Sequence, residues 1–287
     1  MSLKSRVQSA KILVAPGVYD GLTASLATAA GFEALYLSGA AVAYTRLGRP
    51  DIGLSTASEM ADTMALIADR TDVPVIMDAD TGFGNALNAQ RTMRSYERAG
   101  ASALQIEDQT YPKRCGHLAD KSLISKPEMA GKIAAMADAR ASDETLIIAR
   151  TDAIAVEGFE AALDRAEAYI SAGADVLFIE APQTRAQLAQ IGARFASRIP
   201  LLANMVEGGE TPILGADDLE QQGFSIAIFP GGIVRAIGRT AQDYYESLHA
   251  HGSNKPFAER MFDFDGLNTV IGTQEQLAQG AKYSAND

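Results

Sequence analysis

The sequence predicts one (β/α)8 barrel domain over residues 1–287. Eight short apolar runs alternate with Ala-rich amphipathic stretches from end to end. Strand–helix alternation is typical of a parallel sheet, and near-continuous apolar strands indicate burial on both faces. No linker rich in Pro, Gly or Ser divides the chain. A doubly wound open sheet is the alternative, but no GxGxxG motif opens a helix after a strand.

The apolar runs define the expected strands in order. They lie at 12–16, 34–39, 74–80, 103–108, 146–152, 175–181, 200–205 and 226–232. Several helical stretches between them end on a glycine, the residue that commonly follows a helix because it adopts a left-handed backbone easily. These glycines are Gly31, Gly100, Gly173 and Gly223.

Composition narrows the class of partner. With 47% hydrophobic and 21% charged residues, the chain is ordinary for a globular protein. A net charge of -11 and a pI near 4.8 argue against nucleic acid or an anionic membrane, and favour a small molecule. One cysteine permits no internal disulfide. Because the chain also lacks a membrane-length apolar run and a signal-like start, we expect a cytoplasmic protein.

Polar residues follow the predicted strands at the end where a barrel places its chemistry. Catalytic groups of such barrels lie at the carboxyl ends of the strands. The residues at these positions are Ser38, Gly39, Asp78, Asp80, Glu107, Arg150, Glu180, Asn204 and the segment 230–232. A single polar strand end is usually a helix cap or a turn former. Six charged or amide residues at strand ends that converge on one axis predict a pocket.

Three of these residues are carboxylates. Asp78, Asp80 and Glu107 would repel one another unless a cation lies between them. Oxygen ligands favour magnesium or manganese over zinc, and magnesium needs only one or two direct carboxylates. Asp51 is a candidate for the outer shell of such an ion or, alternatively, a turn residue. The metal-free interpretation is that Asp80 caps the next helix while Asp78 pairs with an arginine.

Other strand-end residues suit an anionic ligand. The guanidinium fork of Arg150 or Arg235 matches a carboxylate, although Arg235 could equally be a solvated helix residue. Ser38 and Gly39 offer a hydroxyl and accessible backbone N–H groups. Two further side chains, Glu180 and Asn204, could bond a substrate hydroxyl or carboxylate. The sequence therefore predicts a site for a small oxyacid held on a metal.

The segment 109–126 is the longest stretch with neither a strand nor a helix pattern, and it carries the only cysteine. Loops of this length are often active-site lids. Lys113, Arg114 and His117 flank Cys115, so we expect a depressed thiol pKa and a role as general acid, base or nucleophile. Gly116 is the expected hinge. The alternative is that the cysteine is an inert small apolar residue.

Six motifs resemble the isocitrate lyase/phosphoenolpyruvate mutase superfamily, in the order of that family and over residues 10–275. They are YLSG at 36–39, DADTGFGN at 78–85, IED at 106–108, KRCGH at 113–117, ARTDA at 149–153 and ANMVEGG at 203–209. The KRCGH motif looks like that of the isocitrate, 2-methylisocitrate and 2,3-dimethylmalate lyases. It is also similar to that of carboxyphosphonoenolpyruvate phosphonomutase.

The resemblance implies a role for each matched residue. Asp78 and Asp80 match the pair that binds Mg²⁺, for which Mn²⁺ can substitute, and Glu107 and Asp51 match residues that hold metal-bound waters. Cys115 matches the catalytic cysteine. Tyr36 matches a candidate base, and Ser38, Gly39 and Ala40 match the backbone that binds the substrate carboxylate. Gly116 and His117 match residues of the lid, and the substrate contacts match Arg150, Glu180, Asn204 and Arg235. The resemblance also assigns His117 and Arg150 to catalysis.

The resemblance further implies a homotetramer in which C-terminal helices are exchanged between subunits, here from the helical extension 255–287.

Departures from the family bear on the identity of the substrate. Val206 stands where 2-methylisocitrate lyases have Thr, and Phe264 stands where they bring an arginine. Pro230-Gly231-Gly232 stands where relatives often have Pro-Leu-Ser or Pro-Leu-Thr, and we expect this departure to widen or reshape the pocket. We expect a magnesium-dependent lyase that cleaves an alkyl-substituted malate or a methylisocitrate-like acid. Phosphonomutase chemistry and an oxaloacetate decarboxylase or hydrolase are the alternatives.

Overall fold

Eight parallel strands form a closed barrel in which each strand pairs with the next and β8 returns to β1. The computed structural model describes residues 2–116 and 120–284. The strands are β1 Leu13–Val18, β2 Leu35–Leu37, β3 Val75–Asp78, β4 Ala103–Glu107, β5 Leu146–Thr151, β6 Val176–Ile179, β7 Leu201–Asn204 and β8 Ile226–Phe229. Every predicted strand is present, and the barrel is confirmed over the open sheet.

Helices connect the strands on the outside of the barrel. They are α1 Leu3–Val7, α2 Gly21–Ala29, α3 Gly39–Val42, α4 Ala57–Arg70, α5 Ala86–Arg98, α6 Lys126–Ala139, α7 Ala153–Val156, α8 Phe159–Ser171, α9 Arg185–Phe195, α10 Ala216–Gln221, α11 Gly232–His251, α12 Phe264–Ile271 and α13 Thr273–Ala281. A π-helix spans Ala43–Leu47 and a 3-10 helix spans Lys255–Arg260. The four glycines expected to stop helices all have positive φ, as the prediction requires.

Two layers of apolar side chains hold the barrel together. One cluster fills the barrel interior and includes Leu13, Ile148 and Ile226, together with Leu3 and Val7 of α1. The larger cluster lies between the strands and the surrounding helices. Because α1 packs against residues from the strand starts, it covers the amino-terminal mouth. The carboxyl-terminal mouth is left as the place for a ligand.

The chain beyond β8 packs differently from the rest. In α11, α12 and α13 no residue is buried. Between residues 230 and 284, only Phe257 of the 3-10 helix is buried. The Arg70 guanidinium donates to the Val270 carbonyl at 3.0 Å. Among residues 2–116 and 120–284, no helix has the length and apolar character needed to cross a bilayer.

Candidate active site

The carboxyl ends of the strands surround a pocket of about 60 Å³ at the mouth of the barrel. Most of the residues predicted from strand ends line it. The lining includes Tyr36, Ser38, Ala40, Asp51, Asp78, Cys115, Gly116, Arg150, Glu180, Asn204 and Arg235, and also Tyr44, Lys113 and Val206. The structure therefore brings together side chains from β2, β3, β5, β6, β7 and the connections that follow them.

Asp78, the last residue of β3, is held by three N–H donors. Its Oδ1 accepts from the Asp80 backbone at 3.1 Å and from Gln105 Nε2 at 3.2 Å, and its Oδ2 accepts from Gly39 N at 3.3 Å. A Cβ atom on Gly39 would lie 2.9 Å from that oxygen, so this close approach requires glycine. The pairing of Asp78 with an arginine, considered from the sequence, is not what the structure has.

Lys113, in the predicted lid segment (109–126), forms ion pairs with two of the carboxylates. Its Nζ lies 2.6 Å from Asp51 Oδ1 and 2.8 Å from Asp80 Oδ1, and the side chain is 4% exposed. Burial disfavours the ammonium, but Asp80 and Asp51 hold the pKa of Lys113 well above its usual range. The sequence suggested Lys113 only as a neighbour of Cys115. Its role here depends on how the loop folds back, which no local pattern indicates.

Asp80 carries a perturbed carboxyl group. Burial raises its pKa to about 6, with Asp78 and Asp51 adding to the effect and Lys113 opposing it. The alternative that Asp80 caps the next helix is wrong, because the Asn85 side chain accepts from the first-turn N–H groups of α5 instead. Asp80 is therefore a buried carboxylate that pairs with Lys113, and it is not a cap.

Glu107 ends β4 and is 1% exposed. Its Oε2 lies 3.3 Å from Arg150 Nη1, while Oε1 is buried with no hydrogen-bond partner among the described residues. Burial raises the pKa of Glu107 well above its usual range, against the effect of Arg150. A buried oxygen without a donor fits a divalent cation or a water bound to one.

The donor set is suited to a metal that keeps waters. Within residues 2–116 and 120–284, no three carboxylate, imidazole or thiol groups already converge on one point at ligand spacing. Magnesium does not need such a cage, because one or two carboxylates and several waters satisfy it. The excess of buried carboxylates over nearby cations supplies the negative charge that such an ion requires.

Arg150 is fixed on β5 by acidic neighbours. Its Nε and Nη2 donate to the two oxygens of Asp152 at 2.9 and 3.1 Å, and Nη2 lies 3.5 Å from Glu180 Oε2. The guanidinium carbon lies 5.2 Å from the centre of the Phe178 ring. Asp152, which sequence reasoning missed, is the next residue but one after Arg150 in the ARTDA motif. That spacing is the one signal that could have found it.

Asn204 ends β7 and adds a polar group to the same wall. Its Nδ2 donates to Glu180 Oε2 at 3.0 Å, and its buried Oδ1 has no partner among the described residues. Glu180 in turn accepts from the Ala181 backbone at 2.9 Å. The amide is therefore oriented by Glu180 and leaves an acceptor for a ligand hydroxyl.

Within the part of the segment 109–126 that the structure describes, Lys113, Cys115 and Gly116 line the pocket. Cys115 N donates to the Asp51 carbonyl at 3.2 Å, and a Cβ on Gly116 would lie 2.3 Å from Arg150 Nη2, so glycine permits the contact. The cations around the thiol are paired with carboxylates. Lys113 pairs with Asp51 and Asp80, and Arg114 pairs with Asp120 at 3.3 Å. His117 lies outside the described residues.

The remaining predicted residues occupy the other side of the pocket. Tyr36 donates to Gln105 Oε1 at 2.7 Å, and burial raises the pKa of its hydroxyl well above the usual value. Ser38 accepts from Ala41 N at 3.2 Å and so caps α3. Arg235 lies at the rim, about half exposed, and pairs with Glu207 at 2.6 Å. Arg235 is thus a partly solvated residue near the start of α11, and its contact with a substrate stays a prediction.

The chain is similar in sequence to proteins of known family. Residues 3–249 match the family model of phosphoenolpyruvate phosphomutase. The chain belongs to the phosphoenolpyruvate phosphomutase family. A 2-methylisocitrate lyase from Aeropyrum pernix is 44% identical over 98% of this chain and 90% of the relative. A 2,3-dimethylmalate lyase from Eubacterium barkeri is 39% identical over 95% and 94% of the two chains.

Solved structures of the phosphoenolpyruvate phosphomutase family agree with this assignment. A crystal structure of 2,3-dimethylmalate lyase matches with a TM-score of 0.93 and 36% identity, over 99% of this chain and 94% of the other. A phosphonopyruvate hydrolase in complex with oxalate and Mg²⁺ matches with a TM-score of 0.88 and 29% identity, over 98% and 97%. The predicted superfamily is confirmed.

Proposed function

We propose that this protein is a divalent-metal-dependent carbon–carbon lyase that cleaves an alkyl-substituted malate to a 2-oxo acid and a second carboxylic acid. The likeness over nearly the whole chain to a 2,3-dimethylmalate lyase and a 2-methylisocitrate lyase supports the reaction class. The observation that carries the proposal is a set of buried carboxylates at the strand ends, Asp78, Asp80 and Glu107, next to a pocket that Arg150 and Cys115 line.

The carboxylates would hold the metal as the family resemblance implies. Asp78 and Asp80 would bind it directly, and Glu107 and Asp51 would hold its waters. Magnesium fits the oxygen donors, and manganese can replace it. When bound, the ion supplies Lewis-acid stabilisation of substrate oxygens that gain negative charge. The Lys113 ammonium, which contacts Asp80 here, has to share that carboxylate or release it.

The side chains of the protein account for binding and proton transfer. Backbone N–H groups at 38–40 would receive the carboxylate of the 2-oxo acid portion, while Arg150 and Asn204 would bond its oxygens as charge develops. The substrate hydroxyl gives its proton to a base in the pocket, the bond between C2 and C3 breaks with its electron pair going to C3, and C3 takes a proton from Cys115. Tyr36 stays the candidate base, although its raised pKa favours the neutral phenol, a hydrogen-bond donor.

The substrate's second portion would meet an apolar wall. Val206 and Ile228 line the pocket, and the one cation at its rim, Arg235, is already paired with Glu207. An apolar wall leaves an additional carboxylate without a partner, which disfavours a tricarboxylate. A methylisocitrate-like acid is the second candidate, because a 2-methylisocitrate lyase has the higher identity of the two relatives described above.

We further propose one catalytic barrel domain, with 255–287 as an extension that is exchanged between the subunits of a homotetramer. The twenty residues of α11, none of them buried, support a subunit contact in this region. The exposed side chains there include Ile237, Tyr245, Phe264 and Leu277. A lone cysteine without a disulfide supports a cytoplasmic location.

A substrate panel tests the function. Purified protein is incubated with Mg²⁺ and 2,3-dimethylmalate, 2-methylisocitrate, phosphonopyruvate or oxaloacetate, and the products are identified by NMR. We expect pyruvate from 2,3-dimethylmalate, loss of turnover on chelation, and recovery with Mg²⁺ or Mn²⁺. Asp80→Ala should be inactive, while Asp217→Ala, at an exposed aspartate on α10, should behave like the native protein. Turnover of phosphonopyruvate alone would assign phosphonate chemistry instead.

A further inference from the structure

Lys121 forms an ion pair with Asp152 that has no role in the proposed reaction. It belongs to the lid segment, five residues after Gly116, yet its side chain is only 2% exposed. The ammonium donates to Asp152 Oδ1 at 3.0 Å and also to the Gly116 carbonyl. One buried cation therefore bridges the lid segment and the barrel. A lysine left in solvent would gain little from such contacts, whereas a buried one depends on them.

The carboxylate that receives Lys121 is the one that orients Arg150. Both Asp152 oxygens accept from the guanidinium, and the Asp152 side chain is fully buried. Burial acts against the charged form, but Arg150 and Lys121 hold the pKa of Asp152 below its usual range. The Asp152 carboxylate is thus an anion shared by a substrate-binding arginine and a lid lysine.

A second layer fixes Asp152 from below. The Asp152 backbone N–H donates to Asp108 Oδ1 at 2.9 Å. The other Asp108 oxygen accepts from Thr151 Oγ1 and the Tyr169 hydroxyl, each at 2.7 Å, and from Arg165 at 3.2 Å. Because Asp108 is held by these partners and in turn bonds the Asp152 backbone, Lys121 binds a carboxylate that the barrel holds in place.

We propose that Lys121 is a positioning residue that couples the place of Gly116 over the pocket to the orientation of Arg150 through Asp152. The inference rests on the proposed function for its kinetic consequence but not for its structural one. With the ammonium in place, Gly116 packs against Arg150 and Glu180 and the thiol of the preceding residue is partly covered. Without it, the lid segment loses its bond to Asp152, while Lys113 and the Cys115 backbone N–H still bond to Asp51.

Two readouts distinguish positioning from a general loss of stability. Charge-assisted hydrogen bonds of this kind bias a two-state loop by about tenfold or more. Lys121→Met should therefore raise KM for 2,3-dimethylmalate roughly tenfold with kcat changed less than about threefold, because closure is weakened and the chemistry is kept. It should also speed iodoacetamide alkylation of ligand-free enzyme about tenfold. Cys115 is the only cysteine, so alkylation reports this one site.

The controls come from the same region. Lys126→Met removes an exposed lysine paired with Asp164 and should leave both KM and the alkylation rate unchanged. Lys121→Gln retains a donor without the charge and should give a smaller shift, which keeps the test available if the methionine variant does not fold. Pyruvate with Mg²⁺ should protect native Cys115 more than it protects either Lys121 variant.

Alkylation rates of both Lys121 variants within twofold of the native rate would overturn the coupling. The alkylation measurement needs no turnover, so it still tests the coupling if no substituted malate proves to be a substrate. Conversely, faster alkylation combined with a fall in kcat at unchanged KM would also overturn it, because Lys121 would then act on the chemical step and not on closure.

Discussion

Asp80 has a carboxyl group whose pKa is raised to about 6 by burial and by neighbouring aspartates, with Lys113 opposing the rise. Below that pH the carboxyl is protonated, and above it the carboxylate is available. A metal ligand must be deprotonated, so protons compete with the metal. The raised pKa of Glu107 acts in the same direction. Metal affinity is therefore expected to rise with pH and to level off above neutrality.

We predict that Mn²⁺ affinity of the metal-free protein falls about tenfold per pH unit below pH 6, because one proton must leave for each ion bound. Titration followed by electron paramagnetic resonance between pH 5 and 8 measures this directly. Asp217→Asn should give the native curve. An affinity that is constant from pH 5 to 7 would remove Asp80 from the metal site.

Cys115 carries the second prediction at the scale of a residue. Replacing it with Ser should lower kcat by about 10²–10⁴-fold, or roughly 3–5 kcal/mol, because a hydroxyl is a far poorer proton donor than a thiol at neutral pH. KM should change little, since Arg150, Asn204 and the metal supply the binding. Steady-state kinetics with 2,3-dimethylmalate measure both parameters. A serine variant with a third or more of native turnover would exclude the thiol from catalysis.

At the scale of elements, the sequence predicts which polar residues lie at the ends of strands, but it does not predict the contacts that loops make. Asp78, Glu107 and Asn204 end their strands as expected, because parallel strands in a barrel bring their carboxyl ends to one mouth. Lys113 reaches Asp51 and Asp80 through a loop whose path depends on tertiary contacts. A local pattern contains no information about such a path. The pairing of Lys121 with Asp152 was missed for the same reason.

The α-helices after β8 have no buried residues and are therefore the elements that pack least against the barrel. Their apolar side chains line a groove formed by α11 and the 3-10 helix, with Ile237, Tyr245 and Phe257 among its residues. An exposed apolar surface of this kind is typical of a protein interface. In the proposed homotetramer a second copy of this chain would cover this surface, although the extension after residue 255 predicted only part of it.

The double variant Ile237→Lys/Tyr245→Lys should therefore lower the oligomeric mass measured by light scattering after gel filtration. Two buried lysines would place unpaired charges in the subunit contact. Leu87→Lys is the matched control, because Leu87 is 72% exposed on α5, away from this groove. We expect the control to keep the mass of the native protein. If the native protein is a monomer at micromolar concentration, the exchange of helices is contradicted.

On the scale of the whole molecule, the barrel admits ligands from one end only. The amino-terminal mouth is packed by α1 and the interior is filled with apolar side chains. The carboxyl-terminal mouth gathers the buried carboxylates, Arg150 and the lid segment. In the proposed function, a divalent ion and the local cations would compensate the charge at that mouth, so that a chain with net charge -11 could bind an acidic substrate.

The most direct test of the central claim is the cleavage of 2,3-dimethylmalate in D₂O with Mg²⁺, followed by NMR. A carbon–carbon lyase that protonates C3 after bond cleavage must give pyruvate and propionate in equal amounts, with one deuterium at C2 of the propionate. We predict that outcome, and its loss in Cys115→Ser. Recovery of unchanged 2,3-dimethylmalate, with no pyruvate formed under conditions where Mg²⁺ saturates the protein, would contradict the account.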